Sequence, residues 1–288
     1  MSSRVTNIVA LSIGLLAVSV SAILIRLCAS APTAIAFWRL VAAGLVFVLW
    51  TALRGKGGID KHDFRLSALS GLFLGAHFYL WITALFMTSI NSSVVLLATQ
   101  PLIALILQFV FHKIGASRRN IISLSAGILG AAILAHGDFL REGLAGAGDL
   151  FAILSAVMGT CYLFVGTYRR GPLIPYLGSV YMLAAVFIGI AAVIRGDSLL
   201  AVRPIDWLWF GLLALVPTLI GHTMLNRSAK YFAPYVLNLT FLVEPLLTGG
   251  LAFLVFSEVP TGNVILGAVF IVGAVVVEVL GERRVGTP

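Results

Sequence analysis

Charge is scarce in this chain. Only 10% of its 288 residues are Asp, Glu, Lys or Arg, against about 25% in an ordinary soluble domain. With 60% of the residues hydrophobic, too little polar surface remains to cover a soluble globule of this length, so that class is excluded. Cysteine is nearly absent. Cys28 and Cys161 offer neither a disulfide framework nor a metal-ligand spacing and read as small apolar packing residues, so no resident metal or cofactor is expected. Acidic residues number 11 against 19 basic ones, giving a net charge of +8. No basic patch is interleaved with aromatics, which argues against a nucleic-acid partner. Soluble linkers and disordered stretches are also missing.

What the chain has instead is long apolar runs. Stretches of roughly 18 or more residues, each able to cross a bilayer, recur from end to end. Ten spans are expected, at about 5–27, 33–53, 65–88, 92–112, 118–137, 149–169, 174–195, 206–229, 234–256 and 261–281. With the N-terminus placed in the cytoplasm, 14 Lys and Arg fall on the inner side and 4 on the outer, with Arg39 inside span two. That positive-inside bias predicts that both termini are cytoplasmic. The first span is not read as a cleaved leader: its apolar stretch is longer than a signal core, and Pro32 follows the "ASA" at 29–31.

Two halves repeat. "LLATQPLIALILQFVF" (96–111) aligns without gaps on the stretch ending "FLVEPLLTGGLAFLVF" at an offset of 144, which sets Gln100-Pro101 on Glu244-Pro245. One residue further out of register, Gly130 falls on Gly273. The chain divides into a first five-helix repeat over 1–140 and a second over 145–288. An odd number of spans per half turns the second half upside down in the membrane. Inverted repeats recur in secondary transporters, whose sites lie near the midplane where the halves meet.

Specific segments carry a resemblance as well: "FWRL" (37–40), "ATQPLIALI" (98–106), "VEPLL" (243–247) and "FSEVPTGNVILGAVFIVGAVV" (256–276). Together with the ten-span, two-half layout, they resemble the EamA-type branch of the drug/metabolite transporter superfamily across almost the whole chain. One part of the signature departs. Ser257-Glu258 stands where members often have Gly-Glu, and His112-Lys113 fills the matching place in the first half. The resemblance implies an all-α membrane protein of ten transmembrane helices, a bacterial inner-membrane exporter of small metabolites, with amino-acid and metabolite exporters closest in length.

Enzyme readings fail on their motifs. "GAGD" (146–149) fits the G-x-G-D string of intramembrane aspartyl proteases. That chemistry needs a second membrane aspartate to share a proton, and no Asp lies in the interior of any other span, Asp206 being the first residue of span eight. Asp149 reads better as the N-cap of span six, its carboxylate at the helix's positive end. No G-x-S-x-G elbow, H-E-x-x-H or G-x-x-x-x-G-K-[ST] loop is present. Only His77 and His222 lie deep enough to hold a haem, and nothing in the repeat requires one.

The candidate site is polar residues at membrane depth. Glu244 precedes Pro245, and Gln100 precedes Pro101; each proline removes a backbone donor and frees a carbonyl, so such breaks belong beside a polar cavity and suggest gating. Thr240, Glu244 and Thr248 share one face, as do Thr218, His222 and Asn226. Two readings of Glu244 stay open: it pairs with Arg39 to fix packing, or it lines a substrate cavity. His77 and Trp81 share a face of span three, and His77 nearly matches His222 across the repeats. Asn238 and Gln100 offer amides, while Trp38 and Tyr162 offer aromatic walls. The substrate-binding candidates are thus Trp38, Arg39, His77, Trp81, Gln100, Tyr162, His222, Asn226, Asn238 and Glu244, with Pro101 and Pro245 as gating breaks. A carboxylate, a guanidinium and amides suit the two ends of a zwitterion, so export of amino acids by alternating access is the expected function. The expected partners are a small-molecule substrate and the lipid bilayer, with transport either coupled to protons or facilitative, and the carrier a monomer. A lipid-carrier flippase or a nucleotide-sugar carrier of the same fold is the alternative.

Overall fold

A computed structural model describes residues 3–55, 58–88, 90–142, 146–256 and 262–281, and every regular element among them is helical. Glu258 lies outside the described residues. The chain opens with α1 (Ser3–Ser19) and α2 (Ser21–Leu27), which meet at a one-residue break, then α3 (Pro32–Leu53) and α4 (Lys61–Met87). α5 (Ile90–Leu96) and α6 (Gln100–His112) flank a short 3₁₀ turn, and α7 (Arg118–Glu142) follows. Next come α8 (Ala147–Gly166), α9 (Leu173–Arg195) and α10 (Asp206–Leu213), which runs through a π-helix (Ala214–His222) into α11 (Thr223–Ser228). α12 (Pro234–Thr240) and α13 (Glu244–Phe256) flank a second 3₁₀ turn, and α14 (Gly262–Gly281) completes the bundle.

Eight helical segments among the described residues are long and apolar enough to cross a membrane. Ile265–Gly281 is a further, shorter apolar helix. The surface matches that solvent: Leu49, Val193, Ile194, Phe111, Ile122 and Leu254 point outward and are exposed. The interior, although mostly apolar, also holds polar side chains. Arg39, Tyr162, Tyr176, Tyr181 and Tyr235 are among its largest fully buried side chains. Lipid is as apolar as leucine, so apolar side chains can face outward and polar groups find partners only inside the bundle.

Small residues set the helix spacing. α4 lies against α8 and α9, α3 against α9, and α7 against α14. A Cβ added to Gly71 would sit 3.0 Å from the Val180 carbonyl oxygen, and one on Gly75 3.2 Å from that of Ala184, so the G-x-x-x-G of α4 is the seat of α9. At Gly130, an added Cβ would come within 2.8 Å of the Gly267 carbonyl oxygen, which fixes how closely α7 approaches α14.

Carboxylates tie the ends. Asp60 caps α4 by accepting from Asp63 N at 2.7 Å, which starts the helix four residues before the span expected at 65. Asp63 in turn accepts from the backbone of Arg170 (3.0 Å) and Gly171 (2.7 Å), joining α4 to the α8–α9 loop. At the same end Glu278 of α14 holds Arg119 at 2.9 Å. At the opposite end Asp206 accepts from Ala29 N (3.1 Å) and Ser30 Oγ (2.6 Å) and so joins the α2–α3 loop to α10. One sequence expectation is corrected here. The N-cap of α8 is Gly146, at φ 61°, and Asp149 sits within the first turn, still at the helix's positive end.

Candidate functional site

Four of the long apolar segments are interrupted, and the interruptions meet in one place. α6 and α13 both begin immediately after a 3₁₀ turn, at 97–99 and at 241–243, positions related by the same offset of 144 that relates Gln100 to Glu244. The prolines explain the geometry. Pro101 cannot donate to Leu97 O, nor Pro245 to Phe241 O. In each case the preceding residue takes that carbonyl through an i→i−3 bond instead, Gln100 N to Leu97 O and Glu244 N to Phe241 O. Both side chains before the prolines are thereby swung to the inside.

The other two breaks are satisfied by hydroxyls. Pro217, inside the π-helix, cannot bond Leu213 O, and Thr218 Oγ1 donates to that carbonyl at 2.8 Å. Where α1 stops, the Ser19 carbonyl accepts from Thr248 Oγ1 at 3.1 Å. Freed backbone groups at membrane depth need such partners. Thr240, Glu244 and Thr248 are all buried, so their shared stripe does face the bundle.

A cavity of about 40 Å³, counted as room for the centres of water-sized spheres, lies among these breaks. Ser21, Gln100, Pro217, His222, Phe241 and Glu244 come to it from the interrupted segments, and α4 and α8 supply His77, Phe78, Trp81 and Tyr162. Four of its polar groups have no protein partner among the described residues. Trp81 Nε1, Gln100 Oε1 and His222 Nδ1 are buried and unbonded. The Glu244 carboxylate, on a residue only 5% exposed, faces the cavity with no hydrogen bond or ion pair recorded for it. A buried polar atom left unpaired costs about 1–3 kcal/mol, so four converging ones mark a place built for a polar guest.

Six of the ten sequence-predicted binding residues line this cavity: His77, Trp81, Gln100, Tyr162, His222 and Glu244. His77 and His222, matched across the halves, do reach one cavity. His77 is fixed there, its Nδ1 2.9 Å from both the carbonyl and hydroxyl oxygens of Ser155 and its ring stacked on Trp81. Asn226 stands one step behind, donating to the Tyr162 hydroxyl and to His222 O. Asn238 donates to Pro234 O at 2.8 Å, accepts from Thr160, and does not line the cavity. Trp38 is held elsewhere: its indole donates to Leu199 O at 2.7 Å and its ring packs on Trp207.

Arg39 does not pair with Glu244. Its guanidinium, 0% exposed, donates to Thr218 Oγ1 (2.9 and 3.2 Å) and Ser21 Oγ (3.3 Å) and lies 4.0 Å above the Phe78 ring. Arg39 therefore braces the π-helix from behind the cavity wall. The packing reading of Glu244 fails on this geometry. Sequence reasoning missed eight lining residues, the small or apolar Val18, Leu97, Gly159 and Leu163 and, closer to the polar groups, Ser21, Phe78, Pro217 and Phe241. Pro217 carried a signal, being a third proline inside an apolar run, and the others carried none beyond their neighbours.

Fold and site together define a polytopic helical membrane protein with a partly open, largely apolar cavity, carrying a few unpaired polar groups, where its broken helices meet. Comparison with known proteins gives the family. The EamA-like transporter family matches twice, over residues 6–135 and 146–280, and the chain belongs to it. A protein of Clostridium kluyveri described as an uncharacterized transporter is 25% identical over 198 residues, covering 64% of this chain. The match spans 62% of that relative's length. A crystal structure at 18% identity has the same fold, with a TM-score of 0.80 over 98% of this chain and 100% of that one.

Proposed function

We propose that the protein is a secondary carrier that exports small polar metabolites, amino acids foremost, across a bacterial inner membrane by alternating access. It crosses the membrane ten times in two inverted five-helix halves with both termini cytoplasmic, works as a monomer without cofactor or enzymatic activity, and draws on protons for coupling. The family membership and the doubled family match support a carrier built of two halves. The observation that carries the reading is the set of unpaired polar groups on Trp81, Gln100, His222 and Glu244 around a cavity set within apolar helices. Such groups inside a membrane bundle mark a substrate or ion path.

The size of the cavity bears on mechanism. About 40 Å³ of this kind accommodates a few waters or a small headgroup, less than a whole amino acid. Loading therefore needs the breaks to open, and the 3₁₀ turns and π-helix are the elements that give. The test is flux. The full chain in liposomes, screened with radiolabelled amino acids, nucleosides and sugars, should show saturable, counterflow-stimulated movement of amino acids. Movement of labelled lipid with no solute flux would overturn the reading in favour of a flippase.

A further inference from the structure

Resting on that reading, the groups around the cavity go further and specify which end of the substrate is recognised. We infer that the cavity reads an ammonium group and leaves a carboxylate unread, so that the substrate class is primary amines, with amino acids accepted through their amino end. The one formally charged side chain lining the cavity among the described residues is acidic, Glu244. The Glu244 carboxylate and Gln100 Oε1 accept outright, and His222 Nδ1 accepts when its proton is on Nε2. The donors facing them among the described residues are all neutral: Trp81 Nε1, the Gln100 amide N–H groups and the remaining N–H of His222. An ammonium carries three N–H donors and a charge that aromatic faces attract, and Phe78, Trp81 and Tyr162 supply those faces.

The groups that would read a carboxylate are committed elsewhere. Arg39 spends its hydrogen bonds on Thr218 and Ser21, with the Phe78 ring between its guanidinium and the cavity. His77 Nδ1 is held by Ser155. The Tyr162 hydroxyl accepts from Asn226 Nδ2. A carboxylate placed in the cavity would meet the like charge of Glu244 and only neutral N–H donors, with no cation lining the cavity among the described residues. Its cost is repulsion as well as lost hydration. The small volume fits the same reading, since it takes the ammonium head and leaves the remainder of the solute to the space that opens around it.

The experiment uses purified full-length protein and matched ligands: leucine, its decarboxylated analogue isoamylamine and its deaminated analogue 4-methylpentanoic acid, with phenylalanine, phenethylamine and 3-phenylpropanoic acid as an aromatic set. Ligand-dependent thermal stabilisation is read for wild type, Glu244→Gln and Gln100→Met. Amine and amino acid should bind alike, and the acid about tenfold or more weaker. Both substitutions should weaken the amines by about tenfold and leave the acids unchanged. An acid that binds as well as its amine, amines that ignore both substitutions, or no amine binding at all would each overturn the inference. Failure of the carrier reading looks different: amines bind as described while liposomes show no flux of any solute.

Discussion

Glu244 illustrates how one buried charge divides two explanations at the residue scale. Had it paired with Arg39, neutralising it would strand a guanidinium. With Arg39 bound to Thr218 and Ser21 instead, Glu244→Gln removes a charge that has no protein partner among the described residues. The Gln100 position shows that the break accepts an amide. Abundance and melting temperature of Glu244→Gln should therefore equal or exceed wild type, while flux falls about tenfold, the loss of one charge-assisted bond. Paired thermal-melt and flux measurements check this, and a collapse in abundance would bring the packing role back. Gly159 gives the complementary case. A Cβ there would lie 2.8 Å from His77 Nδ1, so Gly159→Ala must push the ring off Ser155. We expect about 1–3 kcal/mol of destabilisation together with reduced flux. Restoring neither by Ser155→Ala in the same chain would place the strain on His77 itself.

Elements differ in how much of them a sequence announces. The breaks at Pro101 and Pro245 were legible because proline's missing donor is a local fact. The break at Val20 was not legible, since it depends on Thr248, distant in sequence, reaching the Ser19 carbonyl. Likewise the π-helix needs Thr218 and Arg39 to complete it, and only Pro217 hints at it. Pro101→Ala and Pro245→Ala restore N–H donors to Leu97 O and Phe241 O, so both helices should become regular at little or no cost in stability. If the breaks gate the cavity, flux drops at equal protein abundance; unchanged flux in both variants would make them packing features only. The glycines matched by the repeat separate further. A Cβ on Gly130 meets the Gly267 carbonyl oxygen at 2.8 Å, whereas one on Gly273 meets nothing within 4 Å. Gly130→Ala should cost about 1–3 kcal/mol by prising α7 from α14. Gly273→Ala should gain up to about 1 kcal/mol of helix propensity, and thermal melts of the two variants make the comparison.

At the scale of the whole molecule, hydropathy made the membrane class and the long helices legible, because span length and apolar composition need no tertiary information. Which polar residues share a cavity was legible for those on strongly broken or small-residue-packed helices, such as Glu244, Gln100 and His77. Trp38 and Asn238 were misplaced because the rotation of a helix about its axis is set by its neighbours, and an all-round apolar span carries little amphipathic signal. Orientation in the membrane rests on the distribution of Lys and Arg and is open to direct test. Leu200, in the α9–α10 loop, is 76% exposed. Gly58 and Gly115, at the opposite end of the bundle, leave open space for an added side chain. The native thiols come out first, although Cys28 would react slowly in any case: burial, with Asp206 beside it, pushes its pKa to about 12, so the nucleophilic thiolate is rare at neutral pH. In the cysteine-free chain, Leu200→Cys should be labelled in intact cells by a membrane-impermeant maleimide. Gly58→Cys and Gly115→Cys should be labelled only after the membrane is opened. The reverse pattern would turn the molecule over and put the α9–α10 loop in the cytoplasm. Labelling of all three in intact cells would place both ends of the bundle on one face, which helices of this length and apolarity do not permit without a different number of crossings.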